Sequence, residues 1–189
     1  VPATVVAGDG LLLVQSFNNA ATIAGPAGWS LVKSVTASSE TTTVWQRVAA
    51  TSDAGSKVTV SASGTVKGDL NLLAYRGTSS AGPIAAAIGV AETVTRTSHT
   101  TPTATAGAKG TWVVSLWADK SSGTAKITPP VGVTQRHFQC TTGGGEICAL
   151  SVDSNGPVNS GAKVGGLIAT ADVASANDTM WTILLAPGA

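Results

Sequence analysis

One arrangement of residues is written twice along this chain, and a duplicated strand pattern leaves few folds open. The first rendering runs Gly10-Leu11-Leu12-Leu13-Val14-Gln15-Ser16-Phe17, then Pro26-Ala27-Gly28-Trp29, then Val44-Trp45-Gln46-Arg47-Val48 and Ser52-Asp53, closing on Leu72-Leu73-Ala74-Tyr75-Arg76-Gly77. The second runs Gly110-Thr111-Trp112-Val113-Val114-Ser115-Leu116-Trp117, then Pro130-Val131-Gly132-Val133, then Ile147-Cys148-Ala149-Leu150 and Val152-Asp153-Ser154, closing on Leu184-Leu185-Ala186-Pro187-Gly188. Solenoid arrays need three or more short units, so two long copies point to paired halves of one body. Residues 1–189 are therefore expected to form a single domain, with halves at about 8–77 and 110–188 and a crossover over 78–109. The Thr-, Ser-, Ala- and Pro-rich crossover could instead separate two small domains, but each half alone would have a thin core.

Apolar residues alternate with polar ones in short runs punctuated by turn residues. Residues 57–63 alternate most cleanly, with Val58, Val60 and Ala62 on one face and hydroxyls on the other. Leu70, Leu72 and Ala74 form a second stripe, Trp112, Val114, Leu116 and Ala118 a third, and Trp181, Ile183 and Leu185 a fourth. Further strands are predicted near 11–17, 29–36, 41–49, 84–95, 133–139, 146–152 and 165–171. No segment keeps a helical period with caps, and the run Ala85-Ala86-Ala87 is cut short by Gly89. The expected fold class is all-β: a two-sheet antiparallel β-sandwich of jelly-roll or Greek-key type, built from two pseudo-repeated halves.

Composition narrows the partners. Hydrophobic residues make up 43% of the chain, enough for a sizeable core, and charged residues only 11%. The formal net charge is +1, and the basic residues are scattered, so nucleic acid is not an expected partner. No apolar run reaches bilayer-spanning length, so membrane insertion is not expected. The chain opens on Val1 in strand-like sequence with no visible signal peptide, so either a leader has been removed or the chain is a piece of a longer protein, and the second reading is preferred.

Cys140 and Cys148 flank Thr141-Thr142-Gly143-Gly144-Gly145-Glu146-Ile147. With the glycines at a hairpin tip the two cysteines face each other across the ribbon, close enough to bond after modest adjustment. Two buried free thiols are the alternative; zinc lacks further Cys and has only His99 and His137 to draw on. A disulfide would fit an oxidising, extracellular setting.

The phrases Gly8-Asp9-Gly10-Leu11-Leu12-Leu13, Pro26-Ala27-Gly28-Trp29 and Leu73-Ala74-Tyr75-Arg76-Gly77, with the run from Trp181 to Pro187, resemble β-sandwich modules. Such modules occur in actinobacterial secreted proteins and in the tail or fibre proteins of their phages. The resemblance covers most of the chain and implies a jelly-roll or concanavalin-like fold in an extracellular or virion setting. Its motifs are turns and core, so it brings no catalytic residues with it.

Chemistry is sparse. No G-x-S-x-G elbow, phosphate loop or dinucleotide fingerprint is present, and His99 and His137 read as loop and surface residues rather than members of a triad. Ten acidic residues show no pairing signal for glycoside hydrolysis. Loop oxygens can hold calcium, and Asn18, Asn19 and Asp119 fall at matching places after the first strand of each half, as do Asp53 and Asp153, so Asn18 and Asp119 are the candidate calcium ligands; no other cofactor is expected. Aromatic rings stack on the CH faces of sugars. Trp112 and Trp181 follow core stripes, and Trp29 is expected to plug one end. Trp45 and Trp117 alternate with polar neighbours, which makes them, with Tyr75, the candidate ligand-stacking residues. The expected role is a non-catalytic structural or adhesion module that meets a surface glycan or protein partner, as a homo-oligomer if it packs as a fibre does. An accessory carbohydrate-binding domain of a secreted hydrolase is the alternative, and a hydrolase in its own right a third.

Overall fold

The computed structural model describes residues 1–18 and 21–188. Sixteen strands follow in order: β1 (Gly10–Asn18), β2 (Ile23–Ala24), β3 (Ser30–Ala37), β4 (Glu40–Val48), β5 (Ser61–Ala62), β6 (Gly68–Tyr75), β7 (Ile84–Ala91), β8 (Arg96–Thr100), β9 (Ala104–Thr105), β10 (Trp112–Ser121), β11 (Ile127–Thr128), β12 (Thr134–Cys140), β13 (Glu146–Asp153), β14 (Lys163–Val164), β15 (Ile168–Ser175) and β16 (Asp178–Leu185). No helix occurs among the described residues. Two large antiparallel sheets dominate, one ordered β3-β4-β1-β6 and the other β12-β13-β10-β16-β7. The all-β sandwich expected from the alternation is the fold observed.

Each large sheet has the same internal order when its strands are matched as the sequence phrases match them: β3-β4-β1-β6 beside β12-β13-β10-β16. Leu12 faces Leu73 in one, and Trp112 faces Leu185 in the other. Connectivity is more interleaved than the simple Greek-key order. Among the described residues only β3–β4 and β12–β13 are hairpins, and their neighbours arrive by way of outer strands. The crossover is not featureless, for it supplies β7, β8 and β9.

The sheets stack with β3 beside β7 and β6 over β12 and β13. Strand alternation sends Leu12, Val14, Val44 and Leu73 from one sheet against Val114, Leu116, Trp181, Ile183 and Leu185 from the other. Gly89 lies opposite Trp181 in the β7–β16 ladder. A Cβ at Gly89 would come within 2.6 Å of the indole, so the ring occupies the space a side chain would need.

Two layers were expected; outer strands add more. β11, β15 and β8 form a three-stranded sheet over the far face of the five-stranded sheet, enclosing Trp117, Ile127, Cys148, Leu150, Val152, Ala169, Ala171 and Met180. All of β16 and most of β10 and β13 are therefore buried on both faces. On the first half, β2 pairs with β5, and the N-terminal segment packs Val5 against Leu11 and Ala49. The long strand predicted over 57–63 shrinks to the two residues of β5. Val58 and Val60 remain half-buried and Lys57 and Thr59 exposed, so the alternation persists, but no neighbouring strand offers a ladder to 57–60.

Cys140 and Cys148 are a cross-strand pair and are joined by a disulfide. Reducing it is expected to lower stability by roughly 2.5 kcal/mol, the loop-closure entropy of so short a loop. Urea unfolding with and without reductant measures this, and coincident midpoints would show that the bond contributes nothing.

Candidate ligand groove

At one end of the sandwich, β6 runs out through Tyr75 into Arg76 and Gly77, antiparallel to the tail of β16. Gly188 N donates to Gly77 O at 2.7 Å and Ser79 N to Ala186 O at 2.9 Å, which holds the two exits together. β10 begins beside them at Trp112, after Gly110, whose φ of 93° carries the chain round the corner. Between these exits lies a groove of about 360 Å³, lined by Tyr75, Trp112, Arg76, Arg136 and Pro187 among others. The rings of Tyr75 and Trp112 stand 6.0 Å apart at 54°. That separation lies within the range of favourable aromatic pairs, and both rings are half-buried at the mouth.

The polar frame of the groove is built behind it. Asp153, at the end of β13, is buried and accepts hydrogen bonds from Tyr75 Oη at 3.1 Å, Arg136 Nε at 2.6 Å and Arg136 Nη2 at 3.1 Å. It also accepts from the backbone N–H of Asn155 at 2.9 Å. Asp9, also buried, accepts from Arg76 Nε at 3.0 Å and Nη2 at 3.1 Å and from Val6 N at 2.9 Å. The hydrogen bond from Arg76 holds the Asp9 carboxyl below the usual range, and the bonds to Asp9 and Asp153 raise Arg76 and Arg136 in turn. Burial, reinforced by Asp153, pushes the Tyr75 phenol up, so it remains a donor. Farther along the same seam, Asn71 Nδ2 donates to Ser151 Oγ at 2.8 Å and His137 Nε2 lies 2.9 Å from Asp69. These contacts fasten β6 over β12 and β13.

Of the three aromatics expected at a ligand, only Tyr75 lines this groove. Trp117 is 2% exposed, and its Nε1 donates to His99 O at 2.9 Å. Its polar neighbours Ser115 and Asp119 do mark one face, but the outer sheet covers that face, and the ring is core. Trp45 is 4% exposed under the chain near Gly25. It lines a separate cavity of about 400 Å³ on the outer face of the four-stranded sheet, shared with Phe17, Trp29 and Leu31. Trp112, assigned to the core by its stripe, is the aromatic that joins Tyr75. Its parity points inward, yet as the first residue of β10 it reaches the open end of the sandwich. Asp153 stands out in the sequence only through its match with Asp53, and its pairing with Arg136 carries no signal because only the β12–β13 register brings the two together.

Asn18 and Asp119 do not converge. Asn18 donates to Gly145 O and accepts from Lys67 N, which commits its amide to the hairpin tip. Asp119 points to the opposite face of the five-stranded sheet, where Thr124 Oγ1 donates to it. Asn19 lies outside the described residues. Among the described residues no three His, Cys, Asp or Glu side chains are placed to hold one metal ion. Asp53 and Asp153 serve the fold instead: Asp53 accepts from Ala50 N at 2.7 Å and pairs with Arg47 at 3.0 Å, as Asp153 does with Asn155 and Arg136.

A second polar constellation is internal. Asp119 and Asp178 face each other across β10 and β16, and His99 lies between Asp178, at 3.4 Å, and Glu92, at 3.5 Å. Burial and the neighbouring Asp119 push Asp178 up to about 8. Burial lowers His99 against the pull of Asp119 and Glu92. For Glu92, burial is outweighed by the amides of Thr93 and Val94, which hold it down. Glu40 is wholly enclosed between the large sheets; burial pushes its carboxyl well above the usual range, and it accepts from Thr42 Oγ1 at 2.7 Å. None of these carboxyl groups lines the groove or the tryptophan-lined cavity.

Fold and groove together define a β-sandwich module with an aromatic and arginine-lined groove at one end. No family model matches the chain, and neither the curated proteins nor the solved structures compared with it contain a match.

Proposed function

We propose that the protein is a non-catalytic extracellular or virion adhesion module that recognises a glycan in the end groove. The pairing of Tyr75 with Trp112 at an open mouth carries this reading, because flat rings beside hydrogen-bonding groups suit the apolar faces and polar rims of sugars. The burial of Asp119 and Asp178, at 1% and 2% exposure, supports a binding role over hydrolysis at this pair, because a glycosidic bond must reach both carboxyl groups to be cleaved. The disulfide is compatible with an oxidising compartment.

A glycan array probed with the wild-type domain and with Trp112→Ala tests the reading. Binding to a defined set of saccharides should fall at least tenfold in Trp112→Ala and persist in Val131→Ser, a control at an exposed loop tip. A blank array, or signal indifferent to Trp112, would overturn it.

A further inference from the structure

Resting on the glycan reading of the groove, we infer that its ligand is an acidic saccharide whose sugar carboxylate is held by Arg136 and Arg76. Charge is sorted by depth at this end of the molecule. Two guanidinium groups line the groove and no acidic side chain does. Their carboxylate partners, Asp153 and Asp9, lie behind them at 1% and 5% exposure, while the Arg136 and Arg76 side chains are 38% and 67% exposed. The surface a ligand meets is therefore cationic although each ion pair is neutral overall.

The hydrogen bonding leaves a defined set of donors. Arg136 commits Nε and Nη2 to Asp153; Arg76 commits Nε to Asp9 and Nη2 to Asp9 and the Thr4 carbonyl. Nη1 of each arginine has no protein acceptor among the described residues and can donate to an incoming anion. A guanidinium gripped from behind has already lost most of its rotamer freedom, so binding through its outer edge costs less ordering entropy. Charge-assisted bonds to a carboxylate are about twice as strong as those to a neutral hydroxyl, which favours a uronate or sialic acid over a neutral hexose of the same shape. The Tyr75 and Trp112 rings would then take the CH face of that sugar.

The test is an array of hexuronate- and sialic-acid-containing glycans, each printed beside its methyl ester, with titration calorimetry on the strongest hit. The free acid should bind at least tenfold more tightly than its ester, with a preference that shrinks as salt rises. Arg136→Lys and Arg76→Lys keep a cation for Asp153 and Asp9 but remove Nη1, and each should erase most of the preference while thermal melting confirms the fold. Equal affinity for acid and ester, or a preference that survives both lysine variants, would overturn the inference. If neutral saccharides bind through Trp112 without regard to charge, the inference fails and the glycan reading stands. If no saccharide of either kind binds, both fail.

Discussion

Trp181→Ala is expected to remove about 3–5 kcal/mol of stability, the usual loss when a large aromatic is cut from a close-packed core. A domain of this size has only about 5–15 kcal/mol in total, so the variant should unfold at far lower urea or fail to accumulate. Trp181 is wholly buried, with Leu12, Val14, Val44 and Leu73 of the facing sheet in the same cluster. Its ring lies over Gly89, so no neighbour on β7 can fill the void. Trp181→Phe provides a foldable comparison. It keeps an aromatic ring and deletes an indole N–H that has no hydrogen-bond partner, so it should lose much less. Urea midpoints of both variants decide the matter; a loss below about 1 kcal/mol for Trp181→Ala would mean that the two sheets do not depend on this contact.

Asp178→Asn is expected to gain stability relative to the wild type as pH rises. Asp119 and Asp178 are directly opposed across β10 and β16, and each has a buried oxygen without a partner. The cationic groups nearby offer little help: burial lowers His99 and so disfavours its charged form, and Arg96 is half-exposed and engaged with Glu92 at 3.2 Å. Two carboxylates in such a site cannot both ionise cheaply, so Asp178 keeps its proton up to about pH 8. Unfolded, it would release that proton near pH 4. Between those values the folded state binds the extra proton, so the contribution of Asp178 to stability is fully present below about pH 4 and is lost as pH rises towards 8. The slope has a ceiling of about 1.4 kcal/mol per pH unit, and a total on the order of a few kcal/mol is expected. Glu40 acts in the same direction. His99 acts in the opposite one, losing stability as pH falls below its unfolded value of about 6.5, but it is present in both proteins and largely cancels in the comparison. Denaturant midpoints for wild type and Asp178→Asn at pH 5 and pH 8 give the result, and a difference identical at the two values would show that no proton is shared there.

Much of the architecture could be read from residue order, because alternation and turn chemistry are local. The matching of 72–77 with 184–188 carries over into register, since Leu73 and Leu185 occupy the same place opposite Leu12 and Trp112. The matching of Val44 with Ile147 does not. Val14 faces Val44, but Val114 faces Asp153, six residues away from Ile147. A slide by an even number leaves every side chain on its own face, so the hydrophobic pattern cannot detect it. Trp117 illustrates a related limit: polar neighbours reveal which residues share a face but not whether another layer covers it. The groove was legible only at Tyr75. Its other parts depend on which strand ends meet, and on ion pairs such as Arg136 with Asp153 that arise from cross-strand pairing rather than from any motif.

β16, made well after β7 and β10, enters the five-stranded sheet between them rather than at an edge. During synthesis on a ribosome, the edges of β7 and β10 that face each other must therefore stay unpaired until residues 178–185 emerge to bridge them. Assembly of the central layer is consequently a late and slow event governed by distant pairings. A chaperone that shields β7 and β10 in the nascent chain would act at the stage when this protein is most open to aggregation.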